Sequence, residues 1–207
     1  MRAMKIGVIA IQGNVEEHVR ALEKTLAEQG REEGVVVKIR HRGIIESCDA
    51  IVIPGGESTT IGRLLEREGI VPELTEAARA GKAILGTCAG LVLLAKEGEV
   101  EVAKTGQPLL GLMDVKVKRN AFGRQKESFE ALLSLSFLKE PFHAVFIRAP
   151  IITHAADPVE VLATLKGHIV AARHGNIMAL SFHPELTEDR RIHHYFINTF
   201  IQGRNKS

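Results

Sequence analysis

With 207 residues, 45% of them hydrophobic and 25% charged, the chain has the length and balance of one globular domain, 1–207, able to bury a substantial core. The formal net charge is +2 with both signs scattered along the sequence, which excludes a basic stripe of the kind that grips nucleic acid or an anionic membrane surface. No apolar run approaches the roughly 20 residues that span a bilayer, and no signal peptide's basic, apolar and cleavage regions open the chain, so a cytoplasmic protein is expected.

Residues 5–11 (K-I-G-V-I-A-I) form a nearly continuous β-branched run, the pattern of a strand covered on both faces of a parallel sheet. Gln12, Gly13 and Asn14 read as a turn. Val15, Val19, Leu22 and Leu26 then mark one face of a helix over 15–29, which Gly30 and Gly34 end. Residues 35–39 and 50–53 are the next apolar strands. This alternation predicts an α/β fold, a three-layer α/β/α sandwich with a mixed, mostly parallel, flavodoxin-like central sheet.

Pro54, Gly55 and Gly56 follow the third strand directly. Paired glycines allow backbone N–H groups to face a crevice, although P-G-G is equally an ordinary turn into a helix over 60–68 capped by Ser58 or Thr59. A phosphate loop fits less well, because the Lys and Ser/Thr of G-x-x-x-x-G-K-[ST] are missing. A helix over 72–80, with Pro72 in its first turn and Gly81 after its end, delivers the chain into a buried strand beginning at Ala83.

That strand runs into Gly86-Thr87-Cys88-Ala89-Gly90. A small-residue frame around a central nucleophile permits a strained strand-to-helix corner at the carboxyl end of a sheet, where ligands bind in open α/β folds. A thiol there also meets the positive end of a helix dipole, which favours thiolate. Cys88 is therefore a candidate nucleophile, against the plainer reading of a small buried hydrophobe. Cys48 reads as inert packing, since a cytosolic chain of this size needs no disulfide and contains no C-x-x-C. The nine histidines form no H-x-x-x-H pair, so no metal is expected.

Beyond the helix after Cys88 the pattern changes. Residues 115–118, 128–135, 143–147, 161–165 and 168–173 read as shorter strands, the last two joined by a Lys166-Gly167 hairpin, so this half is antiparallel or mixed. A polar loop covers 120–126. Arg119, Arg124 and Arg148 carry guanidinium groups able to hold a carboxylate bidentately, although most such arginines are solvated surface. The last strand, 177–182, enters His183-Pro184-Glu185, where a histidine and a carboxylate two residues on suit a base and its orienter. A surface histidine at a strand end is the plainer alternative. Thr187 is then expected to cap a helix reaching Gly203, with Glu188 and Asp189 in its first turn.

The order of these signals, P-G-G-E-S after one strand, G-T-C-A-G after the next and H-P-E after the last, resembles the class I (triad-type) glutamine amidotransferases. Residues 55–60, 86–90, 119–125, 146–150 and 181–189 are most similar to the glutaminase subunits of pyridoxal 5'-phosphate synthases, which R-N-x-F-G-R-Q and F-I-R-A-P set apart from other amidotransferase glutaminases. The resemblance covers essentially the whole chain. One departure is a longer first helix and loop over 31–34.

The resemblance implies hydrolysis of L-glutamine through a glutamyl thioester, with Cys88 as nucleophile, His183 as base and then acid, and Glu185 as orienter. It implies an oxyanion hole from the backbone N–H groups of Gly56 and Ala89. Its glutamine pocket would be lined by Gly55, Gly56, Glu57, Ser58, Arg119, Ile147 and Arg148. No cofactor is implied. The ammonia would pass to a partner synthase subunit, a (β/α)₈ barrel in a hetero-oligomer that makes vitamin B6. Two alternatives stay open at this point: the glutaminase of another amidotransferase, and a non-catalytic binding or stress protein of the same sandwich fold.

Overall fold

The computed structural model describes residues 3–122 and 128–201. Strand β1 (Lys5–Ile9) is followed by α1 (Val15–Glu28), β2 (Val35–Ile39) and β3 (Ala50–Ile53). Helices α2 (Ser58–Arg67) and α3 (Val71–Arg79) lead to β4 (Ala83–Thr87) and the short α4 (Ala89–Leu94). Next come β5 (Ala95–Gly98), α5 (Val100–Lys104) and β6 (Met113–Lys118), then β7 (Ser128–Leu133) and β8 (Phe142–Ile147), which pair with each other. The chain finishes through β9 (Ile151–Ala155), β10 (Glu160–Leu165), β11 (His168–His174), β12 (Ile177–Leu180) and α6 (Arg191–Phe196), which runs into a π-helical turn over Ile197–Ile201.

Among the described residues ten strands form one sheet in the order β2-β1-β3-β4-β12-β11-β9-β6-β5, with β10 beside β11. From β2 to β12 every neighbour is parallel. Beyond β12 the pairing turns antiparallel through β11, β9 and β6, and β5 closes the edge parallel to β6. The order 2-1-3-4 followed by the last strand is that of a doubly wound sheet whose direction switches between β1 and β3, and ligands bind above such a switch.

The continuous apolar strands are explained by two cores. Ile6, Val8, Val52 and Leu85 face Leu22 and Leu26 of α1 and Phe196 of α6, while Ile51, Ile53 and Ile84 face Ile61 and Leu65 of α2 and Leu74 of α3. A strand buried on both faces has no polar side to show in its sequence. The expected three-layer sandwich is the observed one.

Several boundaries differ from expectation. β1 ends at Ile9 and β12 at Leu180, each two residues early, because the chain leaves the sheet to build loops. β5 and β9 were not foreseen: A-K-E-G carries no strand pattern, and β5 exists through its pairing with β6. Helix α2 is capped by Glu57, whose carboxylate accepts from Thr59 N and Thr60 N, rather than by Ser58 or Thr59. Thr187 does not cap the last helix. Pro184–Leu186 forms a 3₁₀ turn, and α6 starts at Arg191, whose N–H donates to Asp189 Oδ1 at 3.1 Å. The Lys166-Gly167 hairpin is present, with φ of 50° and 80° as a type I′ turn requires. Part of the expected 120–126 loop, Arg124 included, and the end of the expected last helix at Gly203 lie outside the described residues.

Candidate active site

Cys88 stands where β4 meets α4, at φ 50° and ψ −100°. A residue with a Cβ is strained at this φ, and the surroundings hold it there. Its N–H donates to Leu180 O of β12 at 2.7 Å. The flanking glycines allow the corner to close: a Cβ on Gly90 would lie 2.2 Å from Ile53 O, and one on Gly86 would lie 2.5 Å from Leu94 Cδ1. Thus the small-residue frame read in the sequence serves the approach of α4 to β3 and β4. Cys48 is a buried free thiol beside Ile44 O, remote from this corner.

β12 lies next to β4, so its continuation brings His183 to the same end of the sheet. His183 N donates to Val145 O at 2.9 Å, tying it to β8 as well. Its Nδ1 is 2.7 Å from Glu185 Oε1, and its ring lies beside Cys88, the two side chains both flanking Gly55. Because a carboxylate only accepts, Nδ1 carries the proton, which leaves Nε2 as the ring's acceptor. Burial opposes a charge on His183, yet its interactions with Cys88 and Glu185 outweigh it and raise its pKa. Burial likewise opposes charge on Glu185, but His18, by charge and hydrogen bond, and then His183 hold its carboxyl well below the usual range.

Gly55, which follows β3, packs under both His183 and Cys88. A Cβ there would lie 2.3 Å from His183 Cε1 and 3.3 Å from Cys88 Cβ. Above the pair a cavity of about 280 Å³ opens, bordered by Cys88, Ala89 and His183. Five residues expected in the pocket, Glu57, Ser58, Arg119, Ile147 and Arg148, border it too, as does Gly56. Gly55 and Glu185 stand behind Cys88 and His183 instead. Ile147 O comes within 3.7 Å of Cys88 Sγ, and Arg148 takes a left-handed φ of 41°.

Arg119 is held by protein acceptors: Nη2 donates to Glu57 Oε1 at 3.0 Å, and Nη1 to Thr59 Oγ1 and Gln107 Oε1, each at 3.1 Å. The Glu57 carboxyl would be raised by its partial burial. The Thr60 hydroxyl and the N–H groups of Thr60 and Thr59 more than offset this and bring it down to about 2.

Sequence reasoning did not single out Gln12, Asn14, His18 or Gln107. Gln12 Oε1 accepts from Glu57 N at 3.0 Å, and Asn14 Nδ2 donates to Glu185 Oε1 at 3.3 Å. Gln107 Oε1 accepts from Ser58 Oγ at 2.9 Å. The available signal was position alone, since Gln12 and Asn14 follow the first strand at its carboxyl end.

A thiol, an imidazole and a carboxylate in series beside a cavity are the parts of nucleophilic acyl transfer. Residues 8–202 match the model of the SNO glutamine amidotransferase family. The chain is 61% identical to the pyridoxal 5'-phosphate synthase subunit PdxT of Methanosarcina mazei, over 96% of this chain and 99% of that one. It is 52% identical to the PdxT of Geobacillus kaustophilus, over 99% and 98%. Among solved structures, a glutamine amidotransferase superposes with a TM-score of 0.82 at 45% identity, covering 93% of this chain and 97% of that one. By sequence and by fold, the chain belongs to the SNO glutamine amidotransferase family.

Proposed function

We infer that this chain is the glutaminase subunit of a pyridoxal 5'-phosphate synthase, hydrolysing L-glutamine to glutamate and passing the ammonia to a synthase partner. Relatives that share more than half of its residues over nearly their whole length carry that subunit's name. The observation that carries the chemistry is the relay from Glu185 Oε1 through His183 to Cys88, at a strained corner that opens on the cavity.

In this reading His183 Nε2 takes the thiol proton as Cys88 Sγ attacks the side-chain carboxamide carbon of glutamine. The N–H groups of Gly56 and Ala89 stabilise the oxyanion, an effect of about 3 to 4 kcal/mol for one donor. His183 then protonates the departing ammonia, and water hydrolyses the glutamyl thioester with the same imidazole as base. Glu185 holds the tautomer and stabilises the imidazolium throughout. Arg148, and Arg119 from its anchored position, would meet the charged end of glutamine, with Gly55, Glu57, Ser58 and Ile147 completing the pocket.

Free ammonia is protonated in water and lost as a nucleophile, which supports direct delivery to a partner. The partner would be a (β/α)₈ barrel in a hetero-oligomer, with this chain acting in the cytoplasm as one glutaminase unit over 1–207. Steady-state glutaminase assays with and without the synthase test the reading. Turnover is expected to rise on complex formation and to vanish in Cys88→Ala and His183→Ala. Undiminished hydrolysis by either variant complex would overturn the assignment.

A further inference from the structure

We propose that His18 is a positioning residue of the glutaminase centre, holding the Glu185 carboxylate from the first turn of α1 and tying it to Thr87, the neighbour of the nucleophile. The inference rests on the triad reading above. His18 is fully buried, and its Nε2 lies 3.3 Å from Glu185 Oε1 and 2.9 Å from Thr87 Oγ1. An unprotonated nitrogen would repel the carboxylate, so the proton sits on Nε2, where both oxygens can share it.

Glu185 shows why this contact matters. His183 Nδ1, Asn14 Nδ2 and His18 Nε2 all converge on Oε1, whereas Oε2 has no hydrogen-bond partner among the described residues. A carboxylate anchored at one oxygen resists rotation only through the donors on that oxygen. Of these, Asn14 and His183 belong to segments beside the cavity. His18 alone joins Glu185 to β4 through Thr87, closing a ring that runs Cys88, His183, Glu185, His18, Thr87 and back to Cys88 along the backbone. The separation of nucleophile and base is thereby set from both sides. His193 of α6, itself fully buried, interacts electrostatically with both His18 and Glu185.

The test uses the assembled two-subunit enzyme. His18→Leu is expected to lower kcat about tenfold or more while the KM for glutamine moves by less than about threefold. His18→Gln, whose amide N–H can reach the place of Nε2, should restore kcat to within about threefold of the parent. In a Glu185→Gln background, His18→Leu should cost less than about twofold further, because it acts through Glu185. A His18→Leu enzyme with kcat within about twofold of the parent, or an undiminished effect in the Glu185→Gln background, would overturn the proposal. Should His18→Leu fail to fold, His18→Asn against His18→Gln decides: the shorter amide must lose turnover while the longer keeps it, and equal losses refute the role. Cys88→Ala in the same assay separates the two ideas. If it still turns over, the triad reading falls; if it is inactive while the His18 variants behave as the parent, only the role of His18 falls.

Discussion

Gly55 has no room for a side chain, because its neighbours are His183 and Cys88 themselves. A Cβ 2.3 Å from His183 Cε1 forces the imidazole to shift from its place beside Cys88. Gly55→Ala is therefore expected to lower kcat/KM by about 100-fold, the scale of an ångström-level misplacement, measured by glutaminase kinetics on the complex. The sequence showed that two glycines follow β3, but a turn explained them as well as a crevice did. His183 and Glu185 were easier to read, since two residues with a proline between them cannot move far apart. Arg119 is the opposite case. Its residue type announced a carboxylate partner, yet the acceptors that hold it, Glu57, Thr59 and Gln107, come from α2 and from the segment before β6. Arg119→Lys loses that planar fork, and under the glutamine reading should raise KM about tenfold with less effect on kcat.

Helix α4 is six residues long, so its placement depends on contact with the sheet rather than on helix propensity. Gly90 lets it touch the backbone of β3, and a methyl group 2.2 Å from Ile53 O has no flexible neighbour to displace. Gly90→Ala should destabilise the fold by about 2 kcal/mol or more, read from the denaturant midpoint, and should disturb the Cys88 corner with it. Helix α2 is governed by Glu57, which caps two N–H groups and receives Arg119. Glu57→Ala should cost about 1 kcal/mol of stability through the lost cap, and should weaken glutamine binding because Arg119 loses its carboxylate. Capping by a glutamate was not foreseen because Ser and Thr, the commoner caps, stand next to it. The last helix was misjudged for a similar reason: T-E-D reads as a cap and an acidic first turn, but the 3₁₀ turn at Pro184–Leu186 delays the helix to Arg191, whose N–H donates to the Asp189 carboxylate.

His193 couples the centre to the stability of the molecule. Burial first, and then the charge of nearby His18, push it down to about 3, so it stays neutral in the fold. The unfolded chain binds a proton there near the ordinary value of about 6.5, while the folded chain does not. Stability is therefore fully present above that value and is lost as pH falls toward 3, by up to about 1.4 kcal/mol per unit. Glu185, whose carboxyl is held low, adds a loss of the same sign below the ordinary glutamate value of 4.5. His183, held above its ordinary value of 6.5, works the other way as pH rises past that value, so urea unfolding between pH 5 and 6, clear of both effects, should show stability rising with pH in the parent and a flatter slope in His193→Leu.

Strand and helix order, the sandwich, the strained cysteine corner and the His-Pro-Glu step could all be read from residue patterns, because periodicity, glycine spacing and short separations are local properties of a chain. The ring through His18 and Thr87, the contact of Asn14 with Glu185, the anchoring of Arg119 and the placement of β5 could not. Their partners lie far apart in sequence, and only the packing of α1, α2 and the sheet edges against one another brings the groups within hydrogen-bond distance. His18 illustrates the difference: on α1 it reads as one more position on a helix, and burial beside Glu185 makes it part of the centre.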